Sequence, residues 1–380
     1  MVDITFGHGR AKIAGIVDIA VGGVSISIVE LHGGACTVLA TAHSALAADA
    51  RTPDQSVGIL AQQIKEAGDL ALQAYSDHKR TGAIETVYAI VHAPWARSQM
   101  VQGSRRFEED TQVEEDTIAS LAKESLAQAT GIDMGRLFEA SMTRIEIDGY
   151  PTSSPEGKRV RTLDTFSLVS DCDPEVKSLA SGALGALFPV ARIVWRSGAR
   201  ALCALMEDTK LRDSNVLIVD MSADTTHLIS MRRGVFEQSV VPEGVATILA
   251  RIAGGRMPDE SLGHIRMLNR DACSSETCEA VEQAMAKAEP DLARIFGEAI
   301  GKMAATRHVP NDLILITHQD LEAWLGRFFM RIDFAQFTIT TLPFEVHTPD
   351  SLGVTTKILG EHQYPALAVD TILVNIEARS

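Results

Sequence analysis

Apolar positions alternate with small or polar ones from Ile13 to Asp18 and again from Val24 to Leu31, with Gly22-Gly23 between the runs and Gly33-Gly34 after them. Alternation of this kind bounded by glycine pairs predicts an antiparallel hairpin, with Cys36 to Ala42 as a third strand. The period then changes. Val57, Leu60, Ile64, Ala67, Leu70, Leu72 and Tyr75 recur at helical spacing behind Thr52-Pro53, a favourable helix start. Val87 to Ala93 returns as a buried strand that stops at Pro94.

A different rhythm follows. Thr111 to Gly131 predicts a helix whose first turn carries Glu114, Glu115 and Asp116, where negative charge suits the helix dipole. Ala140 to Ile147 and Val160 to Ser170 predict strands, Asp173-Pro174 starts a helix to about Leu187, and Ala191 to Trp195 reads as another strand. That order describes an α+β module inserted into the first half. The turn-rich stretch from Asp148 to Lys158 predicts an exposed loop, either a partner contact or a plain solvated hairpin.

The opening pattern then recurs. Asn215 to Asp220 is an apolar strand ending in aspartate, Thr225 to Met231 is the return strand, Arg233-Gly234 turns and Val235 to Val241 completes the set. A strand ending in Asp with an antiparallel return thus occurs at Asp18 and at Asp220, and internal duplication predicts a two-lobed fold. Helices are predicted over Val245 to Ala253, Ser261 to Leu268 and Ser275 to Thr306, the last broken or restarted at Pro290. Leu313 to Thr317 predicts a buried strand and Leu321 to Arg331 a helix. Ala366 to Ser380, rich in Val and Ile, predicts a terminal strand packed on the core.

Composition narrows the function classes. A length of 380 residues implies two or three domains. A formal net charge of −15 argues against nucleic acid or an anionic lipid surface as partner, since both need clustered cations. The five cysteines are scattered and no basic-then-apolar leader precedes them, which predicts a cytoplasmic protein with reduced thiols. Cys273 and Cys278 are spaced too widely for a common zinc knuckle and are expected to pack against a helix. No apolar run approaches the roughly 20 residues needed to span a bilayer.

The run Val219-Asp220-Met221-Ser222-Ala223-Asp224-Thr225-Thr226-His227, with Val241-Pro242-Glu243-Gly244 after it, resembles the second phosphate loop of the FtsA family of actin-like ATPases. Arg200 to Glu207 resembles the helix before that loop, and Thr111 to Trp195 resembles the FtsA-type inserted subdomain. The resemblance implies an α/β, two-lobed actin-like (ribonuclease H-like) fold. Residues 1–108 would open lobe I, 109–196 would form the inserted subdomain, and 197–380 would form lobe II, with a helical subdomain at about 250–295 and a return to lobe I at the C-terminus. It further implies ATP and Mg²⁺ held between two facing hairpins. Asp18, Gly22 and Gly23 would serve from the first, Asp220, Ser222, Thr225, Thr226 and Gly244 from the second, and Thr317 and His318 at the adenosine turn. Asp18 and Asp220 would hold the metal through water.

Three departures from the family pattern weaken that expectation. Ser222, Ala223 and Asp224 stand where the phosphate loop carries glycines, Ala20 and Val21 replace a Gly and a hydroxyl residue, and Thr317-His318-Gln319-Asp320 has no glycine pair. Bulk and a carboxylate at a phosphate site oppose binding. The expected function is therefore an FtsA-like division scaffold with weakened or lost ATP binding, acting through protein partners and self-association. The terminal segment lacks a basic amphipathic face, which raises the PilM-like pilus-assembly alternative. An active ATPase or sugar kinase of the same superfamily is the remaining alternative.

Overall fold

The computed structural model describes residues 11–32, 35–45, 53–77, 82–209, 211, 214–232, 235–273, 276–305, 307–331, 336–354, 357–358 and 365–379. The expected Gly33-Gly34 and Arg233-Gly234 turns and the polar start at residues 1–10 lie outside them. The elements run β1 (Lys12–Ala20), β2 (Gly23–His32), β3 (Ala35–Ala45), α1 (Pro53–Asp77), β4 (Ile84–Val91), β5 (Ala96–Gln112), α2 (Glu115–Leu126), β6 (Leu137–Ile147), β7 (Tyr150–Pro151), β8 (Arg159–Cys172), α3 (Pro174–Leu187), β9 (Arg192–Ser197) and α4 (Gly198–Asp208). They continue β10 (Val216–Met221), β11 (Thr226–Arg232), β12 (Val235–Val241), α5 (Val245–Ala253), α6 (Pro258–Asn269), α7 (Glu276–Ala304), β13 (Asp312–Ile316), α8 (Gln319–Arg331), β14 (Glu345–His347), β15 (Lys357–Ile358) and α9 (Pro365–Glu377).

The chain folds into two compact units. The first comprises 1–92, 174–209 and 349–380, the second 93–173 and 210–348. In the first, the strand order is β15-β3-β2-β1-β4-β9. β1, β2 and β3 form an antiparallel meander, and β4 and β9 follow β1 in parallel. In the second, β12-β11-β10-β13-β14 repeats that scheme: a meander, then two parallel strands. The duplication extends to register, because Asp18 pairs with Ser25 and Asp220 with His227, seven positions on in each hairpin.

Both sheets are buried by helices, so their strands read as apolar runs. Ile16, Ile19, Ile26, Leu39, Leu60, Ile64 and Ile90 are fully inaccessible in the first unit. In the second, Phe296 of α7 meets Phe328 and Phe329 of α8 edge-on, with centroids 6.4 and 5.4 Å away. Rings packed this way add about 0.5–1.5 kcal/mol per pair to their burial.

Several expectations need correction. The third sheet, β5-β8-β6-β7, begins with β5, which the sequence pattern does not announce: its 17 residues are mostly polar and increasingly exposed toward Gln112. The helix expected from Thr111 accordingly starts at Glu115. α3 and β9, expected in the inserted module, join the first unit because β9 pairs with β4 from Thr86↔Arg192 to Val91↔Ser197. α4, expected in lobe II, also lies in the first unit.

Pro290 does not break α7, which runs unbroken through it. Pro290 and Ala286 are both exposed, so the carbonyl that loses its partner faces water. The terminal segment is a helix, not a strand. Leu367, Val369, Asp370, Ile372, Leu373 and Val374 are all buried, and a helix enclosed on nearly every side shows no apolar stripe to read. Cys273 and Cys278 are joined in a disulfide rather than packing as thiols. No described helix is long and apolar enough to cross a membrane.

Candidate nucleotide-binding turns

In the first unit, Gly22 completes the β1–β2 turn at φ +96°, a conformation open to glycine. Gly23 is required by packing: a Cβ there would lie 2.8 Å from the His43 ring and 2.9 Å from the Ser44 carbonyl. Asp18 points at neither. Its Oδ1 lies 3.1 Å from Nε2 of His92, and both side chains are only 15% exposed. β4 delivers this histidine, whose backbone N–H donates to the Ile19 carbonyl at 3.0 Å. Oδ1 of Asp18 is closed to solvent and makes no hydrogen bond among the described residues, so the two groups meet without one between them.

The second hairpin closes on itself. The Ser222 N–H and hydroxyl both donate to the Thr225 carbonyl, at 2.9 and 3.0 Å, and the Ser222 and Thr225 hydroxyls are 3.0 Å apart. The carbonyls of Ser222 and Ala223 then accept from the N–H groups of Val245 and Ala246, at 2.9 and 2.7 Å. These are the first residues of α5, whose early N–H groups have no partner within the helix and would otherwise suit an anion. Gly244 permits the approach, since a Cβ there would lie 2.6 Å from backbone atoms of Ser222, Ala223 and Thr225.

Thr226 is fully buried and its hydroxyl donates to the Glu243 carbonyl at 2.6 Å. The Glu243 carboxylate is held by Nε and Nη2 of Arg251, at 2.9 and 2.8 Å. His227, where the family pattern has a closing Asp, faces Gln238 at 2.9 Å. Asp220 stands at the end of β10, beside Ile316 of the parallel strand β13.

Thr317 and His318 follow β13, and Thr317 is buried. Asp320 receives two bonds from Arg266 of α6, Nε at 3.0 Å and Nη2 at 2.7 Å, while Asn269 donates to its carbonyl at 2.7 Å. The Asp320 N–H donates to Nδ1 of His318 at 3.2 Å. Burial pushes the His318 imidazole below its ordinary range; Asp320 opposes that and Arg266 adds to it. The turn expected to carry two glycines is thus filled by a His–Asp–Arg–Asn network.

The structure therefore gathers the expected residues into two groups: Asp18, Gly22 and Gly23 in the first unit, and Asp220, Ser222, Thr225, Thr226, Gly244, Thr317 and His318 in the second. Sequence reasoning missed Arg266 and Arg251; it placed His92 at a strand end, as a structural group rather than a base. The fold adds that His92 lies two residues past Ile90, the parallel neighbour of Asp18, as His318 lies two past Ile316, the neighbour of Asp220.

Among the described residues, Asp312, Glu345 and His347 form a separate group of potential ligand atoms, with Asp312 Oδ1 3.4 Å from His347 Nε2. It sits at the start of β13, away from the turns.

No protein-family model matches the sequence, and no curated protein does. Solved structures do. A chain of a PilM-PilN type IV pilus biogenesis complex is similar over 96% of this chain and 98% of its own, with a TM-score of 0.52 and 13% identity. A diol dehydratase-reactivating factor in nucleotide-free form gives 0.47 and 9% over 97% and 100% of the two chains. The ethanolamine utilization protein EutJ from Carboxydothermus hydrogenoformans gives 0.44 and 11% over 96% and 89%. The fold of this chain is that of the actin-like ATPases.

Proposed function

We propose that this chain is an actin-like scaffold that works by binding protein partners and does not hydrolyse ATP. The observation that carries the reading is the pair of bonds from Val245 and Ala246 to the Ser222 and Ala223 carbonyls. A phosphate loop needs outward-facing N–H donors, and here the donors at the head of α5 are taken by the loop's own carbonyls. The Arg266–Asp320 link at the adenosine turn argues the same way.

The partner would be a division protein, if the chain works as FtsA does, or a pilus-assembly protein, if it works as PilM does. A PilM-PilN complex of this fold supplies a precedent for the second.

Melting the chain with and without Mg-ATP tests the reading. A ligand at one hundred times its dissociation constant stabilises a protein by about 2.7 kcal/mol. No shift is expected. A shift that Asp220→Ala abolishes would overturn the scaffold reading in favour of an ATPase or kinase. Titration with cytoplasmic tails of division and pilus-assembly membrane proteins separates the two partner classes.

A further inference from the structure

The five-stranded sheet carries an imidazole and two carboxylates at the end remote from the phosphate turn, where the proposed function does not use them. Asp312 opens β13 beside Val216, whereas Asp220 stands at the far end of β10. Backbone pairing sets Asp312 opposite Glu345 and Ile314 opposite His347 across β13 and β14. Side chains alternate between the two faces of a sheet. Leu313 and Val346 turn into the apolar core formed with α5, α7 and α8, so Asp312, Glu345 and His347 share the opposite face.

His347 is buried, and its Nε2 faces Oδ1 of Asp312 at 3.4 Å and Oε1 of Glu345 at 3.8 Å. Both separations exceed the usual hydrogen-bond length of about 2.9–3.0 Å. Two ligands each about 2.1 Å from one tetrahedral ion stand about 3.4 Å apart, so Nε2 and Oδ1 are already spaced to share a metal. Glu345 is exposed and long, and a small swing of its side chain closes the third side. The backbone around the group is pinned. The Glu345 N–H donates to the Asn311 carbonyl at 2.9 Å, and Nδ2 of Asn311 donates to the Leu342 carbonyl at 2.8 Å while its Oδ1 accepts from the Thr340 N–H at 3.0 Å. Ligands held on paired strands in this way are preorganised. The fold itself does not require them: in the first unit the equivalent positions, counted back from Ile90 as these are from Ile316, hold Thr86, Arg192 and Val194.

We infer that Asp312, Glu345 and His347 bind a divalent transition-metal ion of the Zn²⁺ class, through Nε2 of the histidine and one oxygen of each carboxylate. Two carboxylates and a neutral imidazole offset the double charge of the ion. The imidazole nitrogen selects such an ion over Mg²⁺ or Ca²⁺, which take oxygen ligands. Three protein ligands leave a position for water or for a ligand from outside. β14 is the last strand of its sheet and Glu345 is exposed, so the ion reaches the group from solvent. The site is independent of nucleotide, since its ligands take no part in the turns.

The test is calorimetric titration of the full chain, free of nucleotide, with Zn²⁺ and with Mg²⁺. Zn²⁺ is expected to bind at least about tenfold more tightly than Mg²⁺. Glu345→Gln is expected to weaken Zn²⁺ by about tenfold or more, without moving the melting temperature of the metal-free chain, since Glu345 is exposed. His347→Ala is expected to weaken it by about a hundredfold or more. Any Zn²⁺ held elsewhere by the chain's other histidines and thiols is common to all three proteins, so the difference between them belongs to this group. If His347→Ala does not fold, Glu345→Gln carries the comparison alone. No Zn²⁺ bound at about 1 mM, full Zn²⁺ affinity in Glu345→Gln, or Mg²⁺ bound as tightly as Zn²⁺ would overturn the inference.

Discussion

Nε2 of His92 stands 3.1 Å from Oδ1 of Asp18, and the same offset along the second sheet sets His318 two residues past the neighbour of Asp220. The duplicated halves carry equivalent histidines to different ends. One faces the strand-end carboxylate, and the other accepts a bond from the backbone of Asp320.

Removing His92 leaves a mostly buried carboxylate without its imidazole. His92→Ala removes this contact, and since Oδ1 of Asp18 makes no hydrogen bond among the described residues it should lower stability by only about 1 kcal/mol. Asp18→Asn keeps an oxygen facing the ring and should cost less. Urea unfolding of the two variants checks the order; a larger loss for Asp18→Asn would contradict the pairing.

Gly244→Ala probes the closed loop. The new methyl would fall 2.6 Å from three backbone atoms, none of which can rotate away. A loss of about 3 kcal/mol or more is expected, at the upper end of overpacking costs. Ala246→Gly, which keeps the N–H to Ala223, should cost only about 1 kcal/mol. Thermal melting of both variants separates backbone crowding from loss of helix propensity.

His318 sets a pH limit. Its folded value is depressed below 6.5 by burial, so the unfolded chain takes up a proton first as the pH falls. Its contribution is complete above about pH 6.5 and is lost as the pH drops through the folded value. Denaturant midpoints measured from pH 8 to pH 5 should fall, and His318→Asn should flatten the curve over that window. An unchanged slope would remove His318 as the cause.

Cys36 on β3 should be inert. Burial pushes its thiol up to about 12, and the thiolate is the reactive form. At pH 8 a disulfide reagent should leave Cys36 unmodified in the folded chain and label it in urea, with Cys36→Ser identifying the signal. Because the unfolded thiol ionises near 9.0, this group's contribution to stability should decline as the pH rises from there toward the folded value.

The meanders were legible because their leading strands, β1 and β10, are buried on both faces and bounded by turn residues, so Ile13 to Asp18 and Asn215 to Asp220 announce themselves. β5 was not, because Arg97, Gln99, Gln102 and Arg105 give it a polar surface and its pairing comes from β8, 47 to 76 residues on. α9 was misread for the opposite reason: Val369, Ile372 and Val374 favour strands locally, and burial among α4 and β1 overrides that preference. At the candidate turns, the residue types were readable and their partners were not. Nothing near Asp320 in sequence signals Arg266, which comes from 54 positions away.

The first unit is assembled from three separate stretches of chain, the last of them ending in α9. During synthesis the N-terminal meander leaves the ribosome first, yet it can be completed only when the final stretch has been made, at about 5–20 residues per second. The second unit, whose last residue is 348, is available to fold earlier. Its maturation therefore runs against the order of translation, and the exposed apolar faces of β1–β3 are the surfaces a chaperone would meet in the interval.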